Sequence, residues 1–417
     1  QLGISRFVLI SSAEVYGADY SNPGLMREKA TVILKRPNRV AHRWAAIEAL
    51  AKESFDQGTS ELIVLRPCWT LLRNGSDVAS RLFRSRVAFL PAGFDPSIQL
   101  LSVDDLAAAI TVAIESDKQG VFNIAPDGVI PLRKALRLTS SWKLPIPCTF
   151  QRMVGAVLRW ENNNEQFDFI RYSWTVSNEK SKDELGFRPS TSSAEALAEF
   201  AGRGARRQIK KPTPHDKRHV QQYDDFGMDA EYIRSCGRRQ LDFMERVYWR
   251  IEVVGLEHLP LDGGGVLAGL HRGFMPFDGV MLVHLLSKKT GRIPRFLMHP
   301  ALVKFPFLAT FLTRLGGIIA CQENADHVLK CGELVGVFPE GIRGAFRMYD
   351  RGNTYRLGKF RDDYVKTALR YGVPIVPFVT VGPAEIFPIL AKIEWPWWKR
   401  QTHWPCFPIT ATWPLLP

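Results

Sequence analysis

Residues 265–280 read GVLAGLHRGFMPFDGV, and what this stretch becomes decides the class of fold. GVLAGL has the length and composition of a buried strand, whereas Gly273 and Pro276 exclude one straight helix through LHRGFMPFD. The stretch is therefore predicted to leave a strand, turn, and enter a helix beginning near Asp278. Strand, turn and helix in that order are the repeating unit of an α/β protein. The same turn carries one imidazole and one carboxylate, His271 and Asp278, in otherwise apolar surroundings. On a turn the two can meet in one cleft. The carboxylate then fixes the ring tautomer, and the other ring nitrogen is free to take a proton from an attacking hydroxyl.

Three later blocks follow this turn in order: LGGIIACQENA (315–325), VGVFPEGIRG (335–344) and YGVPIVPFVTVG (371–382). VFPEG ends an apolar strand in a turn that displays an acid, where an ordinary turn needs no glutamate. Together the four blocks resemble the glycerolipid acyltransferase family, whose first motif is a histidine followed by an aspartate. The commonest spacing there is HxxxxD. The HxxxxxxD with PFDG found here is similar to a branch near bacterial acyltransferases of undefined acceptor and the diacylglycerol acyltransferase relatives.

The resemblance implies His271 as general base and Asp278 as its orienting partner. It further implies that Glu340 and Gly341 contact the acceptor and that Arg343 binds phosphate. The second motif of the family normally ends in an arginine that grips glycerol phosphate, but Gln322 stands there, followed by Glu323. A neutral, diacylglycerol-like alcohol would need no cation at that place, while Arg343 or Arg314 would serve a phosphorylated acceptor. Acyl-CoA or acyl carrier protein is the implied donor, with no metal or redox cofactor.

In the first half, RFVLI (6–10) is a run suited to a buried parallel strand, and SSAEVYG follows at its carboxyl end. ELIVLRPCW (61–69), LLSVDDLAAAI (100–110), GVFNIAP (120–126) and SNEKSKDELGFRPS (177–190) continue the series. As a set they resemble the extended short-chain dehydrogenase/reductase and sugar-nucleotide epimerase family, with Ser12 at the place of its active-site serine. Ser102 and Asp105 form a capping-box pattern ahead of a helix. In that family a strand and glycine-rich turn come first, whereas residue 1 here lies just before a later strand, so the dinucleotide half is expected to be absent from this chain.

Its catalytic tyrosine and lysine are also missing. Setting Glu48 of NRVAHRWAAIEAL (38–50) as the family's glutamate puts Trp44 at the lysine and Val40 at the tyrosine, and neither transfers a proton. His42 between them reads as structural, and Ser12 as a turn residue. The implied portion is expected to be degenerate and NAD(P) is not expected to bind it.

Length and composition fit this division. A chain of 417 residues with 46% hydrophobic content exceeds one ordinary core, and two domains are expected. The resulting fold class is α/β: a partial Rossmann-like portion over 1–200, a basic linker over 201–224, and an acyltransferase domain over 225–417. Beyond the linker, Ile233, Cys236, Phe243, Met244 and Val247 recur at helical spacing before the strand-like RIEVV (250–254).

Six cysteines without regular spacing argue against a zinc site or disulfide framework and fit a reducing compartment. The apolar window 296–320 is interrupted by Lys304, Pro306 and Arg314 and makes a poor bilayer span.

The net charge of +13 does not by itself choose between nucleic acid, membrane and acidic ligands. The linker RGARRQIKKPTPHDKRH (203–219) lacks a reading helix and stacking aromatics, so an anionic membrane surface is the expected partner and nucleic acid is not. The tail WPWWKRQTHWPCFPITATW (395–413), with its tryptophans and cations, reads as an interfacial face. The expected location is cytoplasmic, peripheral on the inner face of the membrane. Two rival readings are an NAD(P)-dependent epimerase or reductase and a non-catalytic membrane adaptor.

Overall fold

The computed structural model describes residues 6–30, 39–56, 61–75, 77–139, 142–147, 150, 163–202, 223–350, 352 and 356–411. The basic stretch 203–222 lies outside the described residues, as do Cys148, Tyr355 and Trp413. Two compact units divide the chain, Gln1–Gly227 and Met228–Pro417.

In the first unit, strands β1 (Arg6–Ile10), β2 (Glu61–Pro67) and β3 (Gly120–Ile124) form a parallel sheet in that order, with Val8 opposite Ile63 and Val64 opposite Val121. Parallel neighbours need crossovers, and α1 (Arg39–Asp56) and α2 (Val103–Glu115) lie between the strands in sequence. β2 is buried over its last five residues. By contrast, β1 is only partly covered, and Ile10 is 45% exposed. The fully buried strand expected from RFVLI is therefore an edge strand, paired on one side only among the described residues.

Ser102 caps α2 by accepting from the Asp105 amide (3.0 Å), but the Asp105 carboxylate turns away to the Ser190 and Thr191 hydroxyls (2.7 and 2.6 Å). Half of the expected box is present. A complete one stands at α3 (Ser193–Ala201), where Ser192 and Glu195 satisfy each other's backbone.

The second unit is built on a five-stranded parallel sheet. Its strands are β4 (Gly265–Gly269), β5 (Arg295–Met298), β6 (Ile318–Ile319), β7 (Leu334–Val337) and β8 (Ile375–Phe378), in the order β6-β5-β7-β4-β8. Both units are thus α/β. All five residues of β4 are buried, and burying Val266 or Leu267 contributes about 1.5–3 kcal/mol each. Because the strands are parallel, their carboxyl ends share one edge, and loops leaving that edge carry ligand sites in such sheets.

Ahead of the sheet, α4 (Ala230–Cys236) runs on through two π turns, Gly237–Leu241 and Met244–Tyr248. Ile233 and Cys236 are buried as their spacing predicts, but Phe243 and Val247 are 53% and 63% exposed. Each π turn adds a residue and rotates the following face, which brings Leu241 and Glu245 inward instead. RIEVV forms no strand. Arg250 takes a positive φ of 51°, and Val254 is 92% exposed, so the segment has no sheet to join.

Candidate active site

The loop after β4 carries His271, and the helix that follows, α5 (Phe277–Thr290), opens with Asp278 in its first turn. Gly273 takes a φ of 101°, which turns the chain between them. The Asp278 side chain is fully buried, and its Oδ2 lies 2.6 Å from His271 Nδ1 while Oδ1 accepts from the Gly279 amide at 2.8 Å. An ionised carboxylate only accepts, so Nδ1 carries the proton and the Nε2 lone pair is left available. Among the described residues Nε2 has no hydrogen-bond partner. The ring packs on Phe338 at 4.7 Å, and Phe338 packs on Phe296 and Phe378 at 5.3 and 5.8 Å. One wall of the imidazole is therefore aromatic.

Glu340 and Gly341 leave the adjacent strand β7 at the same edge. The φ of 60° at Gly341 places its backbone where L side chains are strained, and the short helix α8 (Ile342–Ala345) begins there. The Glu340 side chain is 5% exposed, and both its oxygens are taken by Arg272, with the Gly358 amide donating to one of them. Arg272 also donates to the carbonyls of His271 (3.1 Å) and Arg356 (2.9 Å). Burial pushes the Glu340 carboxyl up, but the Arg272 and Gly358 hydrogen bonds outweigh it and hold the group below its ordinary value.

Glu340, which the resemblance sets against the acceptor, here has both carboxylate oxygens on Arg272. Its carboxylate is committed to tying the FPEG turn to the histidine loop. Arg272 is the residue that sequence reasoning missed. Its signal was available, since a lone arginine in an apolar segment requires a buried carboxylate, and the FPEG acid is the nearest motif residue able to supply one.

Gln322 opens helix α7 (Gln322–Lys330), just after β6 at the outer edge of the sheet. Its amide donates to Asp326 (2.7 Å) and Thr367 (3.0 Å). Arg343 on α8 is exposed and has no hydrogen-bond or ion-pair partner among the described residues. Arg314, the other cation considered for a phosphate, is committed elsewhere: it pairs with the buried Asp229 at 2.7 Å and lies over the Tyr232 ring at 3.8 Å.

Asp242, Glu245 and His284 come close enough to hold a metal ion. Lys288 already lies 2.6 Å from Asp242 and 2.7 Å from Glu245, so an ammonium fills the cation's place. These groups staple α5 to the preceding helix, well along from Asp278.

In the first unit, Ser12 caps the turn Ala13–Tyr16 by accepting from the Glu14 amide. Val40 and Trp44 pack against the core, and His42 is exposed. Glu48 is held by Arg66 (2.9 and 2.6 Å) and by the Ser11 hydroxyl (2.5 Å). The Tyr16 hydroxyl donates to Asn123 at 2.8 Å, and burial, against the pull of Arg66, pushes it up to about 12. These contacts are those of a locked polar core.

Residues 250–381 match the family model described as Acyltransferase, and the second unit accordingly carries an acyltransferase domain. An uncharacterised protein of Mycobacterium tuberculosis is 34% identical over 195 residues, which cover 46% of this chain and 53% of the relative. A human protein described as a DGAT1/2-independent enzyme synthesizing storage lipids is 24% identical over 170 residues, covering 40% and 52%. The chain spans about half the length of the curated relatives it matches.

Among solved structures, MoeE5 in complex with UDP-glucuronic acid and NAD is 19% identical with a TM-score of 0.38, covering 50% of this chain and 67% of that one. A UDP-glucose 4-epimerase from Thermotoga maritima is 17% identical with a TM-score of 0.37, covering 50% and 65%.

Proposed function

We propose that this acyltransferase moves a fatty acyl group from a thioester, acyl-CoA or acyl carrier protein, to a hydroxyl of a glycerolipid-like acceptor at an anionic membrane surface on the cytoplasmic side. The observation that carries this reading is the 2.6 Å contact between His271 and a fully buried Asp278, with the second ring nitrogen left open. Nε2 takes the acceptor hydroxyl's proton as the oxygen attacks the thioester carbonyl. The tetrahedral adduct then expels the thiolate, which recovers that proton from the ring. Asp278 steadies the imidazolium in between.

Arg272 and Glu340 are positioning residues in this scheme, since each touches the histidine loop or the FPEG turn and neither needs to touch the acceptor. Gln322 supplies no charge, which favours an uncharged alcohol over a phosphorylated one. Arg343 supplies the exposed cation for a phosphate of the donor. The lipid-synthesising human relative supports a lipid product.

The test is an acyl-transfer assay on the full chain with neutral and phosphorylated lipid acceptors, comparing wild type with His271→Ala. Transfer to neutral alcohols that disappears in the variant is expected. A strong preference for lysophosphatidate would overturn the acceptor assignment, and undiminished transfer by His271→Ala would overturn the mechanism.

A further inference from the structure

Residues Ile389–Ile393 (β9) and Phe407–Thr410 (β10) pair as an antiparallel hairpin around the short helix α10 (Pro396–Thr402). The inner side of this clasp is packed. Trp404 meets Phe274 at 4.9 Å and Phe305 at 4.7 Å, and Phe274 lies within the turn that joins His271 to Asp278. The outer side is bare. Trp395 and Trp397, whose rings pack at 5.2 Å, are 48% and 51% exposed. Lys392, Lys399 and Arg400 are exposed beside them, with Glu394 as the neighbouring acid and none within α10.

A second apolar tip is tied to the first. Lys304 donates to the Gln401 carbonyl at 3.1 Å, and three residues on Phe307 is 70% exposed at a positive φ of 64°. A bulky aromatic held in that region is strained, and strain of this kind persists where function requires the placement. Tryptophans favour the interfacial zone of a bilayer because an apolar ring carries a polar N–H, and flanking cations reach for phosphates. Water alone gives these side chains no reason to face outward together.

We propose that this clasp, through Trp395, Trp397, Phe307, Lys399 and Arg400, is the surface on which the protein docks to an anionic lipid bilayer. Charge selects the occupant: cations beside aromatics complement anionic headgroups. The packing of Trp404 on Phe274 joins the docked face to the loop that carries His271, a benefit that rests on the acyltransferase reading, whereas docking itself does not.

The test is flotation of the full chain with phosphatidylcholine vesicles, with and without phosphatidylglycerol. Wild type is expected to float with the anionic vesicles in a salt-sensitive way. The exposed pairs Trp395→Ala with Trp397→Ala, and Lys399→Glu with Arg400→Glu, should each weaken partitioning about tenfold or more. They should also keep the melting profile and the transfer rate to a water-soluble acceptor. His271→Ala should lose transfer yet float normally, which separates failure of docking from failure of the catalytic reading. Unchanged partitioning of both paired variants, equal flotation with neutral vesicles, or loss of a self-associated species in the variants instead of vesicle binding would overturn the proposal.

Discussion

In the proposed mechanism His271 depends on Asp278, whose two oxygens are committed to the imidazole and to the Gly279 amide. The carboxylate is buried at the start of a helix, where the first-turn amides and the dipole favour negative charge, and one oxygen is fixed by the Gly279 amide. Replacing it by an amide keeps the shape but removes the pull on the Nδ1 proton. Asp278→Asn is expected to lower kcat by roughly 10²–10⁴ with KM little changed, and steady-state kinetics with a soluble acceptor reads the split.

Arg272 and Glu340 obey a different rule, because a buried charge is tolerable only with its partner. Glu340→Gln leaves a buried guanidinium without its counter-charge and should cost about 3–5 kcal/mol in denaturant unfolding. The pH dependence follows from the lowered carboxyl. The pair's contribution is complete above the ordinary value of 4.5 and is lost as pH falls through the lower folded value. Wild type should therefore lose stability on acidification from 4.5 down through the folded value more steeply than Glu340→Gln, and equal acid slopes would refute the linkage.

At the level of elements, the site exists because two adjacent parallel strands, β4 and β7, release their loops at the same edge, and a short helix then closes against both. A Cβ at Gly344 on α8 would stand 2.7 Å from Glu340 Oε2 and 2.8 Å from the His271 carbonyl. Backbone cannot yield as a flexible side chain can. Gly344→Ala is thus expected to destabilise by about 1–3 kcal/mol and to lower activity, whereas a Gly341 substitution meets open space and suffers only its backbone conformation. Calorimetry with matched rate measurements on the two variants compares these effects. Further along α5, the staple of Asp242, Glu245, His284 and Lys288 fixes the helix whose first turn presents Asp278. Its partners on the preceding helix face inward only because the π turns rotate them there.

Across the whole molecule, an acyltransferase domain follows an α/β unit in which Val40 and Trp44 pack against the core and Arg66 holds Glu48. We expect acyl transfer by the full chain without added nicotinamide cofactor, and no change in NADH fluorescence on titration. A saturable change would support the oxidoreductase reading of the first unit.

What the sequence determined alone is what depends on local order: the strand–turn–helix at 265–290, the ends of elements marked by glycine, proline and capping residues, and the pairing of His271 with Asp278 across one turn. Those features depend on dihedral preferences and spacings within a few residues. Tertiary structure alone decided which distant groups meet. It gave the Glu340 carboxylate to Arg272, turned Glu245 inward after a π turn, left RIEVV without a sheet to join, and closed Trp404 onto Phe274. Each of those outcomes depends on burial, and burial belongs to the packed chain: a charge finds its partner, and an aromatic ring its neighbour, only when water has been excluded from between them.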